Sequence, residues 1–154
     1  MKYSRFEELP VWQAARALTN DVYEVTSEGK FSKDYRLRDQ IRASSTSIMS
    51  NIAEGFENQT TRQFIRYLYI AKGSSGELRS QLYVALDAGY LDTNTMTDFK
   101  TRTESISRQC SGLIDYLAGF DGKNGVKDIE FEYGGDWKLQ IKDWKFLDGK
   151  LDSW

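Results

Sequence analysis

Gln40-Ile41-Arg42-Ala43-Ser44-Ser45-Thr46-Ser47-Ile48-Met49-Ser50-Asn51-Ile52-Ala53-Glu54-Gly55-Phe56 has a helical period, although small and polar residues fill much of it. Leu37, Ile41, Ile48, Ile52 and Phe56 line one face. Gln40, Ser44, Ser47, Asn51 and Glu54 line the stripe beside it. A solvated helix places Lys and Glu on such a stripe. Amides and hydroxyls there predict a helix packed on two sides, with a polar network at one contact.

Three further helices are read outward from this one. The first begins near Pro10, a residue suited to a first turn, and carries Val11, Ala14, Ala15, Leu18, Val22 and Val25 as its apolar stripe. The second runs from about Ser32 to Glu57 and contains the quoted stretch. The third, about Arg62 to Ala88, is capped by Thr60 or Thr61 and stopped by Gly89. Its seam is Phe64, Leu68, Ala71, Ser75, Leu78, Leu82 and Ala85. Ile65, Tyr67, Tyr69, Ile70, Val84 and Leu86 widen that seam, which predicts burial on more than one side. The fourth helix, capped by Asp92 or Thr93, carries Met96, Phe99, Thr103, Ile106, Cys110, Leu113 and Leu117. Short connections between four amphipathic helices predict an all-α, antiparallel up-down four-helix bundle over residues 1–119.

Residues 120–154 change character. Ile129, Phe131 and Tyr133 alternate with Glu130 and Glu132, and after Gly134-Gly135-Asp136 the residues Trp137, Leu139 and Ile141 alternate with Lys138 and Gln140. This period of two predicts a small C-terminal β-hairpin over 129–141. A three-residue loop pairs Tyr133 with Trp137, Phe131 with Leu139 and Glu132 with Lys138. An isolated hairpin is marginal in water, so Phe131, Tyr133, Trp137, Leu139 and Trp144 are docking candidates. Three destinations are open: the chain's own bundle, a neighbouring copy, or another protein.

The 154 residues contain no His. That removes the commonest general base, the Ser-His and Cys-His nucleophile pairs, and zinc sites with His ligands. Glu54 and Glu77 suggest the carboxylates of a di-metal bundle, but such sites also need a His three residues beyond a Glu. A hydrogen-bond network joining Ser47, Asn51 and Glu54 to Ser74, Ser75 and Glu77 is the preferred reading. Gly73-Ser74-Ser75-Gly76 lacks the spacing of a phosphate loop. Close approach of another helix is the reading for Gly73 and Gly76. Neither a catalytic residue, a metal nor a cofactor is expected, and an enzyme is the weakest class. The start Met1-Lys2-Tyr3-Ser4-Arg5 leads to no apolar leader, no run spans a bilayer, and Cys110 stands alone. The expectation is a cytoplasmic protein with no membrane contact.

Residues 6–118 resemble the four-helix-bundle proteins encoded within 23S rRNA intervening sequences. The resemblance rests on Phe6-Glu7-Glu8-Leu9-Pro10-Val11-Trp12, on Tyr35 to Arg42, and on Ser47-Ile48 followed by Asn51-Ile52-Ala53-Glu54-Gly55. It continues through Phe64, Leu68, Ile70-Ala71, Gly73-Ser74, Glu77-Leu78 and Gly89-Tyr90-Leu91. Met49 stands where the family pattern usually has Pro. The resemblance implies a closed homopentamer and RNA binding. It extends to the accessory bundle subunits of diversity-generating retroelements, which bind a reverse transcriptase and its RNA.

Charge only partly agrees with RNA as a partner. The chain has 21 Lys and Arg against 23 Asp and Glu, which is not the basic balance nucleic-acid binding favours. Locally, residues 30–42 and 62–79 each carry a net +3. Lys33, Arg36, Arg38, Arg42, Arg62 and Arg66 are the candidate nucleic-acid residues, expected to converge on one positive surface. The plainer alternative for each is a solvated helix face. Gln40, Ser47, Asn51, Glu54, Ser74 and Glu77 are assigned to the polar network or to an interface between copies. The competing class is a protein-binding scaffold that docks through the Trp-rich tail.

Overall fold

The computed structural model describes residues 3–58 and 60–120. Within them lie four helices: α1 (Pro10–Val25), α2 (Tyr35–Glu57), α3 (Thr61–Asp87) and α4 (Thr93–Phe120). Short 3-10 turns at Phe6–Glu8 and Phe31–Lys33 precede α1 and α2. The predicted hairpin over 129–141, with Phe131, Tyr133, Trp137, Leu139 and Trp144, lies outside the described residues.

Local chemistry sets the helix ends. Pro10 opens α1, where its missing N–H costs nothing. Asp34 accepts a hydrogen bond from the Leu37 N–H at 3.1 Å, so α2 begins three residues later than the predicted Ser32. The segment before it is a 3-10 turn because Phe31 is buried and stacks on Tyr90, ring centres 5.0 Å apart. Thr60 caps α3 through the Gln63 N–H. Asp92 does the same for α4 through Thr95, and that bond holds its carboxyl below the usual range. Gly89, at φ +74°, ends α3: its N–H reaches the Leu86 carbonyl and the Tyr90 N–H reaches Ala85. This is the Schellman arrangement, and the left-handed φ is one that glycine adopts without a Cβ penalty.

Side-chain pairs fix the topology. Thr19 on α1 donates to the Ser45 carbonyl on α2, Ser47 on α2 meets Ser74 on α3, and Arg79 on α3 pairs with Glu104 on α4. Arg102 on α4 returns to Asp21 on α1 at 2.6 Å. Neighbouring helices run antiparallel and the fourth closes on the first, an up-down bundle. All seven predicted seam residues of α3 and all seven of α4 are buried. α2 runs unbroken through Met49.

The two packed sides of α2 are both internal. Ser45 is fully buried against α1, while Ser44 is buried toward Gln81 of α3. Gly55 is the tightest point. A Cβ built there would lie 2.8 Å from both Phe64 Cδ2 and Tyr67 Cβ, which explains a glycine inside a helix despite its propensity cost.

The outer side of α3 differs from the sequence reading. Tyr69, Ile70 and Val84 are 58%, 41% and 52% exposed rather than part of a widened core. Among the described residues nothing lies within 4 Å of a Cβ built at Gly73 or Gly76, so none of the other three helices approaches them.

Candidate nucleic-acid interface

The bundle axis separates the six predicted basic residues into two groups. Lys33, Arg36, Arg38 and Arg42 lie where α1 ends and α2 begins. Arg62 and Arg66 lie in the first turns of α3, beside the last turn of α2, because Glu54 meets Tyr67. The groups are on the order of 25 Å apart along the axis at 1.5 Å per residue. Within one chain they do not converge.

The first group is built on two tyrosines. The Arg38 guanidinium stacks over Tyr35 at 4.8 Å and the Arg42 guanidinium over Tyr23 at 4.7 Å. Tyr35 is 64% exposed and Tyr23 42%. Arg38 also donates to Asp39 and to the Ser32 carbonyl. Lys33 and Arg36 stand exposed beside these stacks and engage no carboxylate among the described residues. The result is an α1–α2 elbow with flat aromatic and guanidinium surfaces flanked by free cations.

Arg42 has a structural task that sequence reasoning missed. Its Nε donates to Thr26 Oγ1 at 2.8 Å, and its Nη2 donates to Ser27 Oγ at 2.9 Å and to the Tyr23 carbonyl at 3.4 Å. Helix α1 has no basic residue in its last turn. Arg42 therefore supplies, from α2, the positive charge that a helix C-terminus favours. A signal existed in the sequence: Thr26 and Ser27 follow a helix with no basic terminus of its own.

Arg62 and Arg66 are exposed, as is Lys72, and none of the three engages a carboxylate among the described residues. No acidic residue falls between positions 61 and 76.

The polar network exists in altered form. Ser47 Oγ lies 2.9 Å from Ser74 Oγ, and Asn51 Nδ2 donates to the Ser47 carbonyl and hydroxyl. Higher up, Ser44 Oγ sits 2.8 Å from Gln81 Oε1, and Gln81 Nε2 donates to Glu77. The Gln40 carbonyl lies 3.0 Å from the same Ser44 hydroxyl, and its side chain is outside this network. Glu54 departs from the prediction. Its partner is the Tyr67 hydroxyl at 2.7 Å, a bond that raises the Tyr67 phenol above its usual range. Glu54 and Glu77 therefore belong to different levels of the bundle and do not face each other. Ser75 turns inward, and its hydroxyl is buried with no hydrogen-bond partner among the described residues. Cys110 is also buried, which pushes its thiol up to about 12.

A family model for 23S rRNA-intervening sequence proteins matches residues 7–112, more than two thirds of the chain. The chain belongs to that family. A similar solved structure is a protein of unknown function from the S23 ribosomal protein family of Bacteroides thetaiotaomicron VPI-5482, with a TM-score of 0.63 and 21% identity. The match covers 68% of this chain and 95% of that one. At that identity the likeness supports the fold alone. No curated protein matches the chain. The family match ends at 112, so it includes the elbow, the polar seam and the α3 crest. Among the described residues no helix is long and apolar enough to cross a membrane.

Proposed function

We propose that this member of the 23S rRNA-intervening sequence family is a non-enzymatic bundle that binds structured RNA at the α1–α2 elbow. The observation that carries the reading is the pair of exposed tyrosine–arginine stacks beside Lys33 and Arg36. RNA loops and ends present unstacked bases, which stack on aromatic rings and guanidinium planes. The flanking cations answer the phosphates, and their field acts locally although the chain's net charge is −2.

The test is RNA binding as a function of salt, using hairpin RNA and the full chain. Binding is expected to weaken steeply with salt. Lys33→Glu with Arg36→Glu should reduce affinity at least tenfold and flatten the salt slope. Arg62→Glu with Arg66→Glu should leave both nearly unchanged. Absence of salt-sensitive RNA binding at low ionic strength would sink the reading.

Self-association is a second reading, favoured by Tyr83 and Val84, 43% and 52% exposed on α3, and by the half-buried Ser47 and Asn51 at the α2–α3 rim. Copies joined along that rim would repeat the elbow, and the family resemblance suggests a five-membered ring. Mass measurement of the native particle decides it, since a single-copy mass contradicts the reading. The rival scaffold class, with a partner such as a reverse transcriptase held by the tail, rests on residues outside the described ones.

A further inference from the structure

We propose that the outer crest of α3 pairs with the same crest of a second copy of this chain, antiparallel and about a two-fold axis level with Ser74 and Ser75. The inference rests on the self-association reading. It adds a face, a symmetry and the residues that meet, and it uses the crest of α3 in place of the α2–α3 rim.

The crest carries a seam of its own. From Arg62 to Asp87 it runs in alternating steps of four and three, through Tyr69, Gly73, Gly76 and Tyr83. Every position on it is exposed, on the side of α3 opposite the buried seam. Such spacing is that of a coiled-coil face, here about 38 Å long.

Reversal matches this seam to itself. In a two-fold contact one residue meets a second, and the second meets the first across the axis. With the axis between Ser74 and Ser75, Arg62 stands level with the partner's Asp87, and Arg66 with the partner's Tyr83. Tyr69 then meets the partner's Ser80, and Gly73 the partner's Gly76. Each layer is complementary. The outermost is an ion pair, and the next sets a guanidinium against a ring. The third sets a large side chain against a small one. The central layer has no side chains, so two backbones can approach closely. Both glycines open onto empty space among the described residues. Parallel pairing in register would instead set Arg62 against Arg62 and Asp87 against Asp87, which costs affinity.

The helix dipole gives an independent argument. Arg62 lies in the first turn of α3, where the dipole favours an anion. Asp87 is the last residue of α3, where the dipole favours a cation. Both stand at the unfavourable end of their own helix, and neither engages an opposite charge among the described residues. An antiparallel partner brings each the charge it lacks. The exposed tyrosines agree: Tyr23 and Tyr35 already lie under guanidiniums, whereas Tyr69 and Tyr83 have none over them among the described residues. The seam would hold Arg62 and Arg66 inside the contact and leave the elbow as the open cationic surface.

The test combines crosslinking with native mass in the full chain. Tyr69→Cys with Ser80→Cys in one chain should give a rapid disulfide-linked dimer. Either cysteine alone should crosslink about tenfold more slowly or less, because copies of one position stand about 16 Å apart along antiparallel helices. Both positions are exposed, and helical content checks that the bundle is intact. Cys110 is buried with a raised thiol and stays silent. Arg62→Asp removes both end pairs at once and should weaken the dimer about tenfold. Adding Asp87→Arg to the same chain should restore it. The two positions are about 38 Å apart within one chain, so this rescue acts only between copies. The expected native mass is an even number of copies. A single-copy mass would sink this proposal and the self-association reading together. An odd-numbered ring without the crosslink would overturn the crest contact and leave self-association standing. Equally fast crosslinking by the single variants, or a charge swap that restores nothing, would also overturn the crest contact.

Discussion

Gly55 on α2 and the pair Gly73 and Gly76 on α3 are all glycines inside long helices, yet they face opposite conditions. At Gly55 the facing helix is so close that one added carbon would lie 2.8 Å from Phe64 and from Tyr67. At Gly73 and Gly76 the same carbon meets nothing among the described residues. The first glycine is explained by packing within the chain. The other two carry the same propensity cost with no return inside the described bundle. A helix that tolerates two such residues on an exposed crest points to something laid over it. The contrast divides α3 into a face that the other helices close and a face left open among the described residues.

Gly55→Ala attacks the closed side and carries the largest expected effect. Tyr67 Cβ is bound directly to its backbone and cannot swing away, so helices must separate. Overpacking of this kind costs about 1–3 kcal/mol, set against a helix-propensity gain of up to about 1 kcal/mol. The expected result is a lower denaturation midpoint at unchanged slope. An unchanged or higher midpoint would mean that α2 and α3 are not in close contact here.

The arginines repeat the contrast. Arg42 is tied to Thr26, Ser27 and Tyr23, whereas Arg62 is exposed and engages no carboxylate among the described residues. Charged hydrogen bonds contribute about 1.5–3 kcal/mol, less when partly solvated. Arg42→Ala should therefore lower stability by about 1–2 kcal/mol, and Arg62→Ala should leave it within about 0.5 kcal/mol. Equal losses in urea denaturation would remove the distinction between a structural and a free cation.

These cases show which parts of the molecule were readable from the sequence. The seams of α3 and α4 were legible because burial follows a period that one helix carries alone. The Thr60 and Asp92 caps and the Gly89 stop were legible because each acts within three or four residues. The start of α2 was misplaced because Phe31 is held by Tyr90, nearly sixty residues away. The partners of Arg42 and Glu54 were not legible for the same reason, since they lie outside α2. In the polar stripe of α2, Ser44, Ser47 and Glu54 meet Gln81, Ser74 and Tyr67 of α3, partners that the sequence alone does not single out. Tyr69, Ile70 and Val84 were read as part of a second buried side, and no described element of the chain covers them. Composition alone does not distinguish an apolar residue packed by its own chain from one left outside.

Ser75→Ala tests the closed face from within. The buried hydroxyl has no partner among the described residues, so its desolvation is uncompensated. Removing it should raise stability by up to about 1 kcal/mol. A loss of that size would show that the hydroxyl is hydrogen-bonded in solution.

Gly76→Ala has the smallest expected effect and sharpens the comparison most. On a bare, solvated crest, helix propensity alone predicts a gain of about 1 kcal/mol. On a crest covered in solution, the new methyl group would stand between the helix and its cover, and part of that gain would be lost. The expected result in urea denaturation is a gain of about 0.5 kcal/mol or less, with Gly73→Ala behaving alike. The full gain at both positions would mean that the crest is bare in solution, and that its two glycines carry their propensity cost with no contact in return.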